Sequence, residues 1–435
     1  MLHQALGERM KRKLIYLVLD GVADRLSDPV TSLELANKPG LDYIARNGLC
    51  GLMYPIAKGV APESDAAVLS ILGYEPEKAY PGRGPLEALG AGVEFKPGYE
   101  VAFRANFATI DPETLAIIDR RVGRSLSTNE AVELAKAING LRLEAYSGYV
   151  KVKATVGHRA VVVIGSRERR LSSNVSNNDP AYVRRGLISE AHKSFENKLR
   201  DVEPLDDTDE AKATAQLANE FIRKAMSILN EHSVNKSRRS RGLLPANALL
   251  IRDAGCELPA VEPLWSKYGR KFAVIAEMPV ELGIGRFLKA HVREVDPPTG
   301  SPERDYSIRL EAAIEALNDS DVVYVHLKGP DEPGHDGDLG LKVRKIEDID
   351  KYFVQRLLNS VSSDVAILVT ADHATPPSVR AHTDDPVPVA LYYSGVVGDE
   401  AMGFTERECS KGSIGVVEHG WLLLGKVLRV IEGSL

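Results

Sequence analysis

Short unbroken apolar runs alternate along the chain with stretches whose apolar positions recur every three or four residues. LIYLVL (14–19), GLMYPIA (51–57), FAVIA (272–276), VVYVHL (322–327) and VAILVT (365–370) read as strands buried on both faces. DYSIRLEAAIEALN and IEDIDKYFVQRLLNSV carry the i, i+3, i+4, i+7 spacing of amphipathic helices. Strands alternating with helices predict a layered α/β fold: a doubly wound, mostly parallel sheet with helices on both faces.

The middle of the chain breaks that rhythm. From about residue 101 to 163 alternating stretches outnumber helices, and turn signals stand at AINGL and YSGY. A long amphipathic helix follows over 209–229 with Thr208 as its cap. The charged stretch NKSRRSR then reads as an interruption before the apolar strand of ANALLIRDAG. The α/β rhythm returns near Cys256. This predicts a discontinuous α/β domain, 1–88 with 256–435, carrying an inserted smaller α+β domain over 89–255. The chain has no internal repeats and no low-complexity tract.

A length of 435 residues suits two domains, and 44% hydrophobic with 27% charged residues suits a folded chain. The net charge of −6 gives no global basic field for a nucleic-acid backbone. Cys50, Cys256 and Cys409 have no paired spacing, which argues against a disulfide framework and a thiolate zinc site. The basic N-terminal stretch precedes an apolar run too short for a signal peptide, and no segment has the length of a membrane span. These features predict a soluble cytoplasmic protein with neither nucleic-acid nor membrane partners. They leave its oligomeric state open.

Candidate chemistry collects at strand ends. LIYLVL runs into Asp20, and VVYVHL into KGPDEPGHDGD, with Asp331 and His335 four residues apart. VAILVT ends at Asp372-His373, followed by His382 in SVRAHTDDP. APESDAA sets Ser64 where a proline-containing loop enters a helix. Singly, such residues are helix caps or satisfied surface groups. Together they occupy the carboxyl ends of strands, where ligands bind in doubly wound sheets. Aspartates and histidines without cysteine suit Mn²⁺, Zn²⁺, Co²⁺, Fe²⁺ or Mg²⁺. Seven candidate ligands exceed one tetrahedral site and suit two sites sharing an edge, with Asp331 and His335 on one ion. Two such ions about 3.5–4 Å apart clamp the attacking and leaving oxygens of a phosphoryl transfer.

The arrangement resembles the alkaline phosphatase superfamily and, within it, the archaeal-type 2,3-bisphosphoglycerate-independent phosphoglycerate mutases. The resemblance spans nearly the whole chain. It is carried by LVLDGVAD, APESDAA, GRGPLEALGAG, FRANFAT, DRRVGR, GHRAVVV, VHLKGPDEPGHDGD and TADHATPPSVRAHTDDPVP. It implies that Ser64 is a phosphorylated nucleophile. It further implies that Asp20, Ser64, Asp372 and His373 hold one metal, and Asp331, His335 and His382 another. The ions implied are most often Mn²⁺, with Mg²⁺, Co²⁺ or Zn²⁺ as alternatives, and no 2,3-bisphosphoglycerate is needed. Lys328 and His158 would contact phosphate. Arg104, Asn106, Arg120, Arg124, Arg159 and Arg252 would bind the small-molecule substrate, arginine forks matching carboxylate and phosphate. One departure is SNNDP (176–180), where the family more often shows SDTDP, so Asn177 stands in place of an Asp.

The implied activity is interconversion of 3-phosphoglycerate and 2-phosphoglycerate in glycolysis and gluconeogenesis, through phosphoserine 64. A metal-dependent phosphomonoester or phosphodiester hydrolase of the same superfamily would share the metal ligands but need no arginine-bearing insert. A sulfatase would need Cys-x-Pro-x-Arg at the nucleophile, which is absent. A non-catalytic metal-binding protein would have lost Ser64 or a ligand, and none is missing.

Overall fold

The computed structural model describes residues 11–192 and 194–433. The beginning of the N-terminal basic stretch lies outside the described residues. Two strands, β1 (Lys13–Leu19) and β2 (Leu49–Met53), open the chain. Then come β3 (Glu100–Ile110), β4 (Ile117–Asp119), β5 (Tyr149–Ala154), β6 (Arg159–Gly165), β7 (Tyr182–Arg185), β8 (Ile188–Ala191) and β9 (Ala248–Gly255). The last third holds β10 (Phe272–Ile275), β11 (His291–Arg293), β12 (Val322–Leu327), β13 (Val365–Thr370), β14 (Val387–Tyr392) and β15 (Gly415–Val417).

The chain forms two compact units, one running to Tyr80 and resuming at Val261, the other being Pro81–Ala260. The expected breaks after residues 88 and 255 thus fall inside the second unit. The helix Arg83–Gly90 belongs there because it lies flat on β3 and β9. A Cβ placed on its Gly84 would stand 2.3 Å from the carbonyl of Ala102 and 2.5 Å from that of Asp253.

In the first unit one sheet runs β11-β10-β12-β1-β13-β14-β2-β15. Every pairing is parallel except the two made by β14, which is antiparallel to β13 and to β2. The central β12 and β13 are buried at every position, and β1 at all but Lys13, which explains their unbroken apolar sequences. Helices surround this sheet, so the layered α/β reading holds. β14 is an addition to it: VPVALY contains Pro388 and follows a loop rich in aspartate, which hid it from pattern reading. The helix expected over 346–361 begins at Leu339, capped by Asp338, and continues to Ser360 through a π turn at Asp350–Val354. Among the described residues no helix is long and apolar enough to cross a membrane.

The second unit is built on a wholly antiparallel sheet, β4-β3-β6-β5, with β9 also paired to β3. One face packs Phe103, Phe107, Val162 and Ile164 against Leu217 and Phe221 of the helix Asp209–Glu231. Thr208 caps that helix, its hydroxyl accepting from the Ala211 N–H. The opposite face buries Ala102, Val161 and Val163 under Ala88 and Phe95. NKSRRSR is not an interruption. All of it but the C-cap Arg241 lies within the helix Ser233–Ser240, because Arg238 turns inward and is fully buried. Its guanidinium donates to Leu244 O, Glu130 and Ser125 Oγ at 2.7–2.8 Å, so the buried charge is paired.

Candidate active site

Three neighbouring parallel strands, β12, β1 and β13, deliver the site, each ending where its apolar run meets a loop of acidic and histidine residues. Asp20 follows β1 directly. Gly21 then turns with φ +61°, donating its N–H to Asp372 Oδ1 at 3.1 Å. A Cβ on Gly21 would lie 2.8 Å from Asp331 Oδ1 and from Thr375 Oγ1, so only glycine lets these loops meet. After β12, Asp331 begins a one-and-a-half-turn helix, Asp331–Asp336, that sets His335 on the same side one turn later. After β13 come Asp372 and His373, both fully buried.

The side chains converge. His373 Nε2 stands 3.4 Å from Asp20 Oδ1, 3.4 Å from Asp372 Oδ2 and 3.0 Å from Ser64 Oγ. Beside it, His335 Nε2 and His382 Nε2 face each other at 3.1 Å. They lie 3.4 Å and 3.5 Å from Asp331 Oδ1. The His373 and His382 rings stack with centroids 3.7 Å apart, so the two groups adjoin. All seven residues expected at a metal site therefore gather in the first unit. Ser64 is the first residue of the helix Ser64–Ile71, with Glu63 in the cap position, so its hydroxyl is not used as a cap.

The donor set fits divalent cations. His335 Nδ1 bonds the carbonyl of Arg380 at 3.2 Å, and His382 Nδ1 that of Pro62 at 2.8 Å. A carbonyl only accepts, so each Nδ1 carries the proton and each Nε2 of the neutral ring offers a lone pair. Two lone pairs 3.1 Å apart beside a carboxylate call for positive charge between them. Buried Asp20 Oδ1 and Asp372 Oδ2 have no hydrogen-bond partner among the described residues. Burial opposes charge on His373, yet the carboxylates of Asp372 and Asp20 push its pKa up to about 9. The pocket thus demands a cation at that Nε2.

Lys328 Nζ lies 3.1 Å from Asp20 Oδ2 and 2.8 Å from Glu281 Oε1. Burial would discharge it, but Asp20, Glu281 and Asp372 outweigh burial and raise its pKa above the ordinary lysine value. Three contributors escaped the sequence reading. His326, fully buried within β12, points Nε2 at Asp20 Oδ1 and Asp372 Oδ2 from 3.7 and 3.6 Å, and its Nδ1 meets the Tyr324 hydroxyl at 2.9 Å. Glu281 is the third residue of the helix Pro279–Phe287, and Thr375 lies two residues beyond His373. His326 sits inside an apolar run, so a core histidine was the natural reading.

The remaining expected residues form an arginine-rich face of the second unit. Arg104 on β3 is the register partner of Arg252 on β9, and Asn106 on β3 of Arg159 on β6, so these lie on one side of the sheet. Arg252 stacks on the Tyr182 ring at 3.8 Å, while Arg120 pairs with Asp179 and lies 5.6 Å from the same ring. Burial and the adjacent Arg83 and Arg252 press the Arg104 pKa downward, against Glu87 and Asp253. Arg104 Nε, Asn106 Oδ1, Arg120 Nη1 and Arg252 Nη1 are buried without a hydrogen-bond partner among the described residues. Burial lowers the His158 pKa to about 4, helped by Arg159, Arg121, Arg124 and Arg104. So much crowded positive charge is suited to an anion. Asn177 is occupied otherwise: it accepts from the Asp253 N–H at 3.2 Å and donates to Tyr182 O at 3.2 Å and Ser189 Oγ at 3.0 Å.

Residues 45–235 match the family model described as 2,3-bisphosphoglycerate-independent phosphoglycerate mutase. A protein of that name from Aeropyrum pernix is 46% identical over 426 residues, covering 97% of this chain and all of its own. Its namesake from Methanopyrus kandleri is 41% identical over 415 residues, covering 93% of each chain. Among solved structures, the cofactor-independent phosphoglycerate mutase of Thermoplasma acidophilum is 32% identical with a TM-score of 0.61. The match covers 97% of this chain and all of that one.

Proposed function

The chain belongs to the 2,3-bisphosphoglycerate-independent phosphoglycerate mutases, and from that premise we propose that it interconverts 3-phosphoglycerate and 2-phosphoglycerate through phosphoserine 64. The observation that carries this reading is Ser64 Oγ, 3.0 Å from His373 Nε2 in a ring of carboxylates and imidazoles. Asp20, Ser64, Asp372 and His373 would hold one divalent cation, and Asp331, His335 and His382 a second, with Mn²⁺ the ion the family resemblance implies. Such ions, when bound, lower the serine's pKa and neutralise phosphoryl oxygens.

Ser64 Oγ forms a bond to the substrate phosphorus as the bond to the glycerate oxygen breaks. Backbone N–H groups in the first turn of its helix face the phosphoryl oxygens, and the Lys328 ammonium adds positive charge. His158 would contact phosphate, and Arg104, Asn106, Arg120, Arg124, Arg159 and Arg252 would hold the freed glycerate. Its other hydroxyl then takes the phosphoryl group back from Ser64. Held this way, return transfer is effectively unimolecular, and such positioning reaches roughly 10⁵–10⁸ M in effective concentration. Bisphosphoglycerate has no place in this cycle, and the reaction belongs to the cytoplasmic interconversion of glycolytic acids.

Acid quenching of the Mn²⁺-loaded protein with phosphorus-labelled 3-phosphoglycerate should trap label on the peptide holding Ser64. Ser64→Ala should show no label and lose at least about 10³-fold in kcat. Label on another residue, or an alanine variant near wild-type rate, would remove Ser64 from the mechanism.

A further inference from the structure

Thr375 is fully buried and makes hydrogen bonds in four directions. Its N–H donates to Ala23 O at 3.0 Å, and its carbonyl accepts from Lys342 Nζ at 2.9 Å. Lys342 is itself fully buried and also binds Asp24 Oδ1 at 2.7 Å and Ala23 O at 3.1 Å. The backbone of Thr375 is therefore pinned between the loop after β1 and the helix Leu339–Ile349. Its side chain spans the two ligand groups: Oγ1 donates to Asp331 Oδ1 at 2.8 Å and meets His373 Nδ1 at 2.9 Å.

A hydroxyl has one proton. Given to Asp331, it leaves the oxygen lone pairs to accept from His373 Nδ1–H. This fixes the lone pair of His373 Nε2 toward Ser64 and Asp20, and fixes which oxygen of Asp331 faces His335 and His382. We propose that Thr375 is a positioning residue that couples the two metal sites, holding one ligand of each through a single hydroxyl. This rests on the two-metal reading above. His373 Nδ1 also lies 3.9 Å from Asp331 Oδ1 and its ring stacks on that of His382, and Thr375 Oγ1 adds a hydrogen bond to a ligand of each group.

Outer partners of metal ligands tune affinity by about 10–100-fold. Metal-stripped wild type, Thr375→Val and Thr375→Ser are titrated with Mn²⁺ by calorimetry. Wild type should take up two ions. Thr375→Val keeps the shape but removes the hydroxyl, and should weaken both ions by about 10-fold or more although valine touches neither. Thr375→Ser keeps the hydroxyl and should restore both to within about 3-fold of wild type by the same measure. A valine variant that keeps both affinities, or weakens only one, overturns the coupling and leaves the two-metal reading standing. A serine variant as weak as the valine assigns the effect to packing and overturns it equally. Wild type binding fewer than two ions would overturn the two-metal reading and the coupling with it.

Discussion

At the scale of single residues the chemistry is decided by what each polar atom faces. His158 shows this in the second unit: burial and four neighbouring arginines lower its pKa to about 4, so its ring is neutral at pH 7 in the free protein. An anion on the arginine face cancels much of that repulsion, so binding should raise the ring's pKa. Titrating His158 by NMR with and without saturating 3-phosphoglycerate measures both values. Near-ordinary titration in the free protein, unchanged by ligand, would contradict the anion site. The seven metal-type residues were legible because six follow the ends of apolar strands and Ser64 opens a helix after a proline-containing loop, places a sequence marks clearly. His326 and Thr375 were not, since one lies within an apolar run and the other looks like any loop threonine. Asn177 stands where the family more often has an Asp, and its amide is spent on Asp253, Tyr182 and Ser189. Only the fold reveals such internal bonds.

At the scale of elements, the buried strands β1, β12 and β13 could be read from the chain because a strand covered on both faces must be apolar throughout. The antiparallel β14 and the helix around Arg238 could not, because proline and a cluster of charge normally mark loops. Tertiary pairing overrode that local signal in both. The short helix Glu406–Cys409 carries a second consequence of burial. Glu406 accepts from the Asp24 N–H and the Thr31 hydroxyl, both at 2.8 Å, yet burial lifts its pKa to about 7. Asp24, beside it, is held by Lys342, and Arg407 points away to Glu34. The folded protein thus keeps a proton that the unfolded chain releases near pH 4.5. The stability from this group is fully present below that pH and is lost as pH rises through about 7, up to about 3 kcal/mol in all. Glu406→Gln should flatten this part of the profile. Denaturant unfolding at pH 5 and pH 8 would show wild type losing more stability than the variant over that interval, and equal losses would refute the assignment.

At the scale of the whole molecule, the two units divide the chemistry. The first gathers carboxylates, imidazoles and the serine; the second presents arginines on a sheet face. The insertion was legible because the α/β rhythm stops and resumes, but its edges were not. Whether the helix Arg83–Gly90 joins one core or the other depends on the close approach of Gly84 to β3 and β9, which no periodicity reveals. A phosphatase needs only the first unit's groups, whereas a mutase must keep glycerate while phosphoserine 64 waits. The most direct measurement is therefore the partition of product. Metal-stripped protein, restored with Mn²⁺ and given 3-phosphoglycerate without bisphosphoglycerate, is followed for 2-phosphoglycerate and inorganic phosphate together. The account predicts no turnover before Mn²⁺ and, after it, 2-phosphoglycerate formed well in excess of phosphate. Phosphate released faster than 2-phosphoglycerate, or full isomerisation in the stripped protein, would contradict it.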